Sequence, residues 1–321
     1  EFKADGGCLA DSSENVYVHF SKGGDSTIGV GDCTGFSKYN SSGTRQATVA
    51  YRTLNSDNSS NSGLVQIRPS FAEDGTHLYW SGKQAWNTPN SQVSARTKMS
   101  DLEMGDTGSG TGWWRELIFT GGTNTTNGFT DTHGAHLSDD NSLMYQSGTS
   151  AAGSGTLGKG IVTCRLASTG AVQWIYKIEN TLADGTAQFL GIGGMDIRGD
   201  FLYLNGSHQM GLGFYQGFTL KLKADGSTTG TNDFTVRNAA NNGTVACKMI
   251  VTKLTSGYTD TNVQIGDSPD TNAYKIDEVT ISTSSAVFGT TLYGTPAIPG
   301  TNSTDSLTNT GDTPGTATVG V

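Results

Sequence analysis

Apolar residues fall at every second position over short runs of this chain, and clusters of Asp, Asn, Ser and Gly cut the runs apart. A two-residue period puts alternate side chains on opposite faces of an extended strand, so the pattern predicts many short β-strands. No stretch shows the spacing of an amphipathic helix. The clearest unit is Gly160–Glu179: an apolar strand from Ile161 to Leu166, a polar turn from Ala167 to Gly170, and a second strand from Ala171 to Ile178 that carries Trp174. Just ahead of it, the turn residues Ser138–Ser142 feed a short apolar strand that ends at Gly148. Together these two β-pairs form one four-stranded module.

The module recurs along the first three quarters of the chain. Its turn-then-strand half reappears at Asp11–Phe20, Ala72–Gly82 and Asp196–Gly206, and each copy holds a tyrosine inside the strand: Tyr17, Tyr79, Tyr145 and Tyr203. These tyrosines are 62, 66 and 58 residues apart. A basic residue is expected near the end of the following strand in each copy, at Lys38, Lys98, Arg165 and Lys221. The expected modules are about 1–54, 63–120, 129–180 and 185–238, followed by a divergent fifth blade or β-appendage over 239–295 and an extended Thr- and Gly-rich tail over 296–321. Four-stranded units with one apolar face must stack on their neighbours, and radial stacking gives a β-propeller, which also protects edge strands.

Composition agrees with strands and turns. The 45 glycines and the abundance of Ser, Thr, Asn and Asp suit tight turns, whereas the periodically placed 9% of aromatic residues argues against disorder. A net charge of −9 argues against nucleic acid as a partner, because phosphate binding needs a clustered basic face. No run of about 20 apolar residues is present to insert into a bilayer as a helix.

Candidate chemistry is sparse. The four cysteines Cys8, Cys33, Cys164 and Cys247 have no close spacing of the kind zinc needs; buried free thiols are the main expectation, with a Cys8–Cys33 bridge as the alternative. His133 and His136 lack a third ligand nearby and are read as ordinary turn histidines. The neighbouring carboxylates Glu73-Asp74 and Asp139-Asp140 lie on turns and are read as solvated, not as an acid/base pair. Neither a metal site nor a cofactor is expected, and the chain is read as a non-enzyme. The weak ligand candidates are aromatic and amide residues on or beside the insertions of the second module: Trp86, Trp113, Asn87 and Asn90. Against that, strand alternation would bury one of Trp113 and Trp114 and leave the other as a wedge between modules.

Asp11-Ser-Ser-Glu-Asn-Val-Tyr-Val and Lys38-Tyr-Asn-Ser-Ser-Gly-Thr-Arg-Gln resemble the SBBP family of β-propeller repeats, and Cys164–Trp174 is similar to the second half of that repeat, tryptophan included. Ala224–Phe234 resembles the way such repeats end in virion proteins of marine and cyanobacterial phages. The chain departs from the pattern at Glu14, where the repeat has a turn glycine, and at Ala47, where it has a tryptophan. The resemblance implies an extracellular virion protein, a tail fibre, spike or decoration subunit. Its partners would be other virion proteins, copies of itself or a host surface glycan. A secreted or cell-surface bacterial propeller that binds glycans is the alternative.

Overall fold

In a computed structural model the chain is all-β, and every described residue belongs to one unit, Glu1–Ile281. The structure describes residues 2–3, 7–22, 33–55, 65–66, 71–84, 91–104, 112–119, 128–151, 158–209, 215–237, 244–263 and 274–280. The expected tail and most of the 239–295 region beyond residue 263 lie outside these residues, apart from one strand.

Four antiparallel sheets follow one another along the chain. Sheet I holds β1 (Phe2–Lys3), β2 (Cys8–Ala10), β3 (Val16–Lys22), β4 (Cys33–Tyr39) and β5 (Arg45–Asn55). Sheet II holds β6 (Val65–Gln66), β7 (Phe71–Glu73), β8 (His77–Gln84), β9 (Ser91–Lys98) and β10 (Trp113–Phe119). Sheet III is built from β11 (Gly128–Leu137), β12 (Leu143–Ala151), β13 (Lys159–Leu166), β14 (Val172–Leu182) and β15 (Ala187–Gln188). Sheet IV has three strands, β16 (Leu190–Arg198), β17 (Phe201–Gln209) and β18 (Tyr215–Lys223).

The remaining strands run back over the earlier sheets. β19 (Gly230–Arg237) pairs with β20 (Thr244–Leu254), which adds to β14 at the edge of sheet III. β21 (Tyr258–Val263) then pairs with β10 of sheet II, and β22 (Tyr274–Thr280) with β5 of sheet I. Each of three successive sheets thus gains an outer strand from distant sequence. The C-terminal part of the described chain stitches the modules together.

Hydrophobic clusters fill the spaces between consecutive sheets. Between I and II, Phe36 and Tyr51 meet Trp80 and Trp114, with Tyr51 and Trp80 stacked at 5.7 Å between ring centroids. Between II and III, Tyr79 and Trp113 pack on Ala135, Met144 and Ala167. Between III and IV, Tyr145, Trp174 and Tyr176 pack with Leu190, Leu202, Leu204 and Leu222. Period-2 alternation feeds both faces of a middle sheet at once: Trp113 points toward sheet III and Trp114 toward sheet I.

The turn ahead of each tyrosine strand demands a left-handed residue. Gly75 (φ 86°) and Gly199 (φ 54°) meet that demand without strain, Asn141 (φ 56°) meets it at small cost, and Glu14 (φ 61°) occupies the same place in sheet I. Replacing Glu14 by glycine is therefore expected to stabilise the protein by about 1 kcal/mol. A urea titration of Glu14→Gly against wild type checks this; an unchanged or lower midpoint would show that the turn holds Glu14 at no penalty.

Candidate functional site

The tyrosine column found in the sequence is a column of contacts between sheets. In sheet I, Tyr17 is opposite Lys38; its hydroxyl lies 2.9 Å from Asp11 Oδ2 and 3.4 Å from the Met99 carbonyl, to which Lys38 Nζ donates at 2.9 Å. Met99 is the first turn residue after β9, in the next sheet. In sheet II, Tyr79 is opposite Arg96 and donates to Asp74 Oδ2 at 2.8 Å, while Arg96 Nη1 and Trp113 Nε1 both donate to the Ala167 carbonyl, at 3.3 and 2.9 Å. Ala167 is the first turn residue after β13. In sheet III, Tyr145 is opposite Cys164, and Tyr176 reaches the Lys223 carbonyl at 3.4 Å and accepts from the Thr228 amide at 2.7 Å. One latch is built three times: an aromatic or basic donor on one sheet holds the end of the second long strand of the next or the turn that follows it.

The four basic residues stand near the ends of their strands, as expected. Register adds that Lys38 and Lys221 are opposite their tyrosines, whereas in sheets II and III that place is taken by Arg96 and Cys164. A shift of one residue sends a side chain to the other face, and an irregularity between Cys164 and Arg165 adds to the displacement. Arg165 instead points back toward sheet II, fully buried, with Nη1 2.7 Å from Asp260 Oδ1 and 2.8 Å from the Gly170 carbonyl. Buried against Tyr145, Cys164 has its thiol pushed up to about 12, chiefly by desolvation, so it is a packing residue and not a nucleophile.

Sheet IV repeats the donor half of the latch on its outward face. Tyr203 is opposite Lys221, and Phe201 opposite Lys223. Lys221 Nζ sits 3.7 Å from the Phe201 ring centroid and 5.7 Å from that of Tyr203, the latter matching Lys38 over Tyr17 at 5.7 Å. Tyr17, Tyr79 and Tyr145 are 1–2% exposed, but Tyr203 is only half-buried and Lys221 is exposed. Along the same face runs a cleft of about 740 Å³ bordered by Phe189, Gly191, Asn205, Ser207, Gly217 and Thr219. Glycines at 191 and 217 keep the floor low, and the Asn205, Ser207 and Thr219 side chains supply donors and acceptors. At the turn end between sheets III and IV, a second cleft of about 590 Å³ carries Asp139, Asp140, Asp200 and Asp225.

The carboxylates of the turns are already occupied. Asp140 accepts from Ser138 Oγ at 2.6 Å and from the Ser142 amide and hydroxyl at 3.0 and 2.8 Å, which holds its pKa down at about 2. For Asp74, burial works to raise the pKa, but hydrogen bonds from Thr76, Tyr79 and His77 outweigh it and bring it to about 2. Since the folded value is depressed, the stabilisation Asp74 provides is complete above its unfolded pKa near 3.9 and disappears as pH falls from about 4 toward 2. Wild type should lose stability over that window, and Asp74→Asn should flatten the loss. Urea midpoints measured between pH 2 and 5 provide the check, and parallel curves would exclude Asp74 as a contributor.

Of the ligand candidates drawn from the sequence, Trp86, Asn87 and Asn90 lie outside the described residues. Trp113 is 5% exposed and committed to Ala167, so it presents no open ring face. His133 and His136 stand on strand β11, with an irregularity between them, and not in a turn; His136 Nδ1 is 3.9 Å from Asp196 Oδ1, and burial lowers its pKa. Cys8 is a free, exposed thiol, whereas Cys164 and Cys247 are free and buried. No group of three or more metal-ligating side chains occurs among the described residues. Sequence alone did not single out the Tyr203–Lys221 face. Its signal was present as the fourth copy of the column, but which copy lacks a neighbour among the described residues is a property of the stack.

No family model, curated protein or solved structure matches this chain.

Proposed function

We propose that this chain is a non-enzymatic structural and adhesion subunit of a phage virion, a tail fibre, spike or decoration protein whose sheets are blades of the β-propeller type. The observation that carries the reading is the latch repeated from sheet to sheet. Several buried polar groups, Arg96, Arg165 and Gln146 among them, serve contacts between modules. That division of labour suits a scaffold that displays its connecting segments to a host surface or a neighbouring subunit. Immunogold labelling with antibody to the chain tests it on particles from the producing source: regular labelling of particles is expected, and signal confined to the free medium would overturn it.

A secreted or cell-surface bacterial propeller that binds glycans is the second reading. The 740 Å³ cleft favours it, because hydroxyl and amide groups beside the Phe189 ring are the combination that holds a sugar. Glycan-array binding that disappears in Asn205→Ala would support this reading over a purely structural role.

A further inference from the structure

The latch has two halves, and the chain carries one of each that the described stack leaves unmated. The donor half is the outward face of sheet IV, where Tyr203 and Lys221 hold the register of Tyr17–Lys38 and Tyr79–Arg96. Among the described residues, neither the Tyr203 hydroxyl nor the Lys221 ammonium has a hydrogen-bond partner; the ammonium rests on Phe201. The acceptor half is the turn after β4. Ser41 stands there three residues past the residue opposite the tyrosine, as Met99, Ala167 and Ala224 do in the later sheets, and the Ser41–Thr44 stretch is exposed. The turn is preorganised by its own side chain, since Asn40 Oδ1 accepts from Ser42 Oγ and the Thr44 amide at 2.8 Å each. Gly43 has φ 77° with open space where its side chain would be, whereas the matching glycines Gly170 and Gly226 lie against Trp113 and Trp174. Among the described residues no core cluster joins sheet IV to sheet I.

We propose that the Tyr203–Lys221 face of one molecule docks the Asn40–Thr44 turn and first sheet of a second copy, continuing across the molecular boundary the sheet-on-sheet contact that runs inside the chain. The inference rests on the repeated latch and not on the virion setting. Lys221 Nζ donates to the incoming Ser41 carbonyl as Lys38 donates to Met99, and the Tyr203 ring becomes buried as Tyr17 and Tyr79 are. The contact is head-to-tail, so every addition leaves both halves free again at the two ends. Association therefore proceeds past the dimer into rings or filaments.

Sedimentation velocity over a concentration series, read together with a cross-link, tests this. Wild type should show species larger than a dimer that grow with concentration. Lys221→Glu and Tyr203→Ala should each weaken association about tenfold or more, as truncating a central anchor does. Asp184→Lys, an exposed turn change on sheet III, should leave association unaltered, and thermal melts confirm that each variant is folded. In a Cys8→Ser background, a chain bearing Lys221→Cys mixed with a chain bearing Ser41→Cys should give a disulfide-linked heterodimer under mild copper-phenanthroline oxidation. A wild type that stays monomeric, or one that stops at a symmetric dimer, would overturn the proposal. So would association that survives Lys221→Glu, or a cross-link that forms only within one chain bearing both cysteines. Glycan binding through Asn205 without self-association would assign the face to sugar instead. Particle labelling that succeeds while self-association fails would leave the proposed function standing and sink this inference alone.

Discussion

Ala47→Trp is expected to destabilise the protein by about 3 kcal/mol, the upper end of the usual cost of overpacking a filled interface, and Leu102→Gly by a similar amount through the cavity it leaves. The double variant should lose far less than the two together. The reason lies in the three turns that receive the latch. In sheets II and III the position opposite the basic column is Trp113 or Trp174, and the left-handed residue of the facing turn is Gly170 or Gly226; a side chain there would meet the indole at 2.7 Å. In sheet I the same position is Ala47, and the left-handed residue of the facing turn is Leu102, with φ 68° and full burial. Tryptophan over glycine has been exchanged for alanine and leucine in one core cluster, so the bulk moves from one side of the interface to the other. Tyr51 fixes the exchange by donating its hydroxyl to the Leu102 carbonyl. A leucine in the left-handed region costs about 1–2 kcal/mol that glycine would not, which Leu102→Gly recovers in part. A double-mutant cycle by urea denaturation should give a favourable coupling of about 2 kcal/mol, within the range seen for residues in contact. Additive losses would mean that Ala47 and the Leu102 turn do not share one pocket.

The same interface shows what the sequence could reveal. The absence of a tryptophan at Ala47 is visible by alignment of the repeats, but its compensation is not, because Leu102 is 55 residues away and nothing about a lone leucine in a polar turn marks a left-handed backbone. Strand and turn order was legible because period 2 and the Asp, Asn and Gly clusters are local signals. The tyrosine column was legible for the same reason. The basic residues near the strand ends were legible too, but which residue stands opposite each tyrosine was not, since register depends on pairing and turn geometry that composition does not encode. The placement of β20, β21 and β22 on sheets III, II and I was also hidden. Such pairings join residues far apart in sequence, and an alternating strand fits any edge with an apolar face. The face that carries the self-docking proposal needed both kinds of information: a local motif to identify Tyr203 and Lys221, and the long-range order of the sheets to leave them uncovered among the described residues.

Asp260→Ala is expected to cost about 3–5 kcal/mol, the penalty of leaving a buried charge without its partner. Arg165 has 0% side-chain exposure and lies on sheet III; Asp260 belongs to β21, the outer strand of sheet II, and is 16% exposed. Arg115 approaches the other oxygen of the same carboxylate at 3.8 Å, so one aspartate serves two guanidinium groups on different sheets. Without it, Arg165 keeps only the Gly170 carbonyl, and the guanidinium cannot shed its proton to escape the low-dielectric site. The consequence extends beyond one ion pair. β21 reaches sheet II from the far end of the sequence, and the Arg165–Asp260 pair ties that strand to sheet III, so its loss should loosen the stitching of two modules together. Hydrogen exchange should then show faster exchange of the amides along β10 and β21 than along β8 and β9 in the variant. Adding Arg165→Met to Asp260→Ala should restore most of the lost stability, because an apolar side chain of similar length fills the space without a charge to satisfy. If Asp260→Ala unfolds at the wild-type urea midpoint, the guanidinium finds water or another acceptor, and the pair does not hold sheets II and III together.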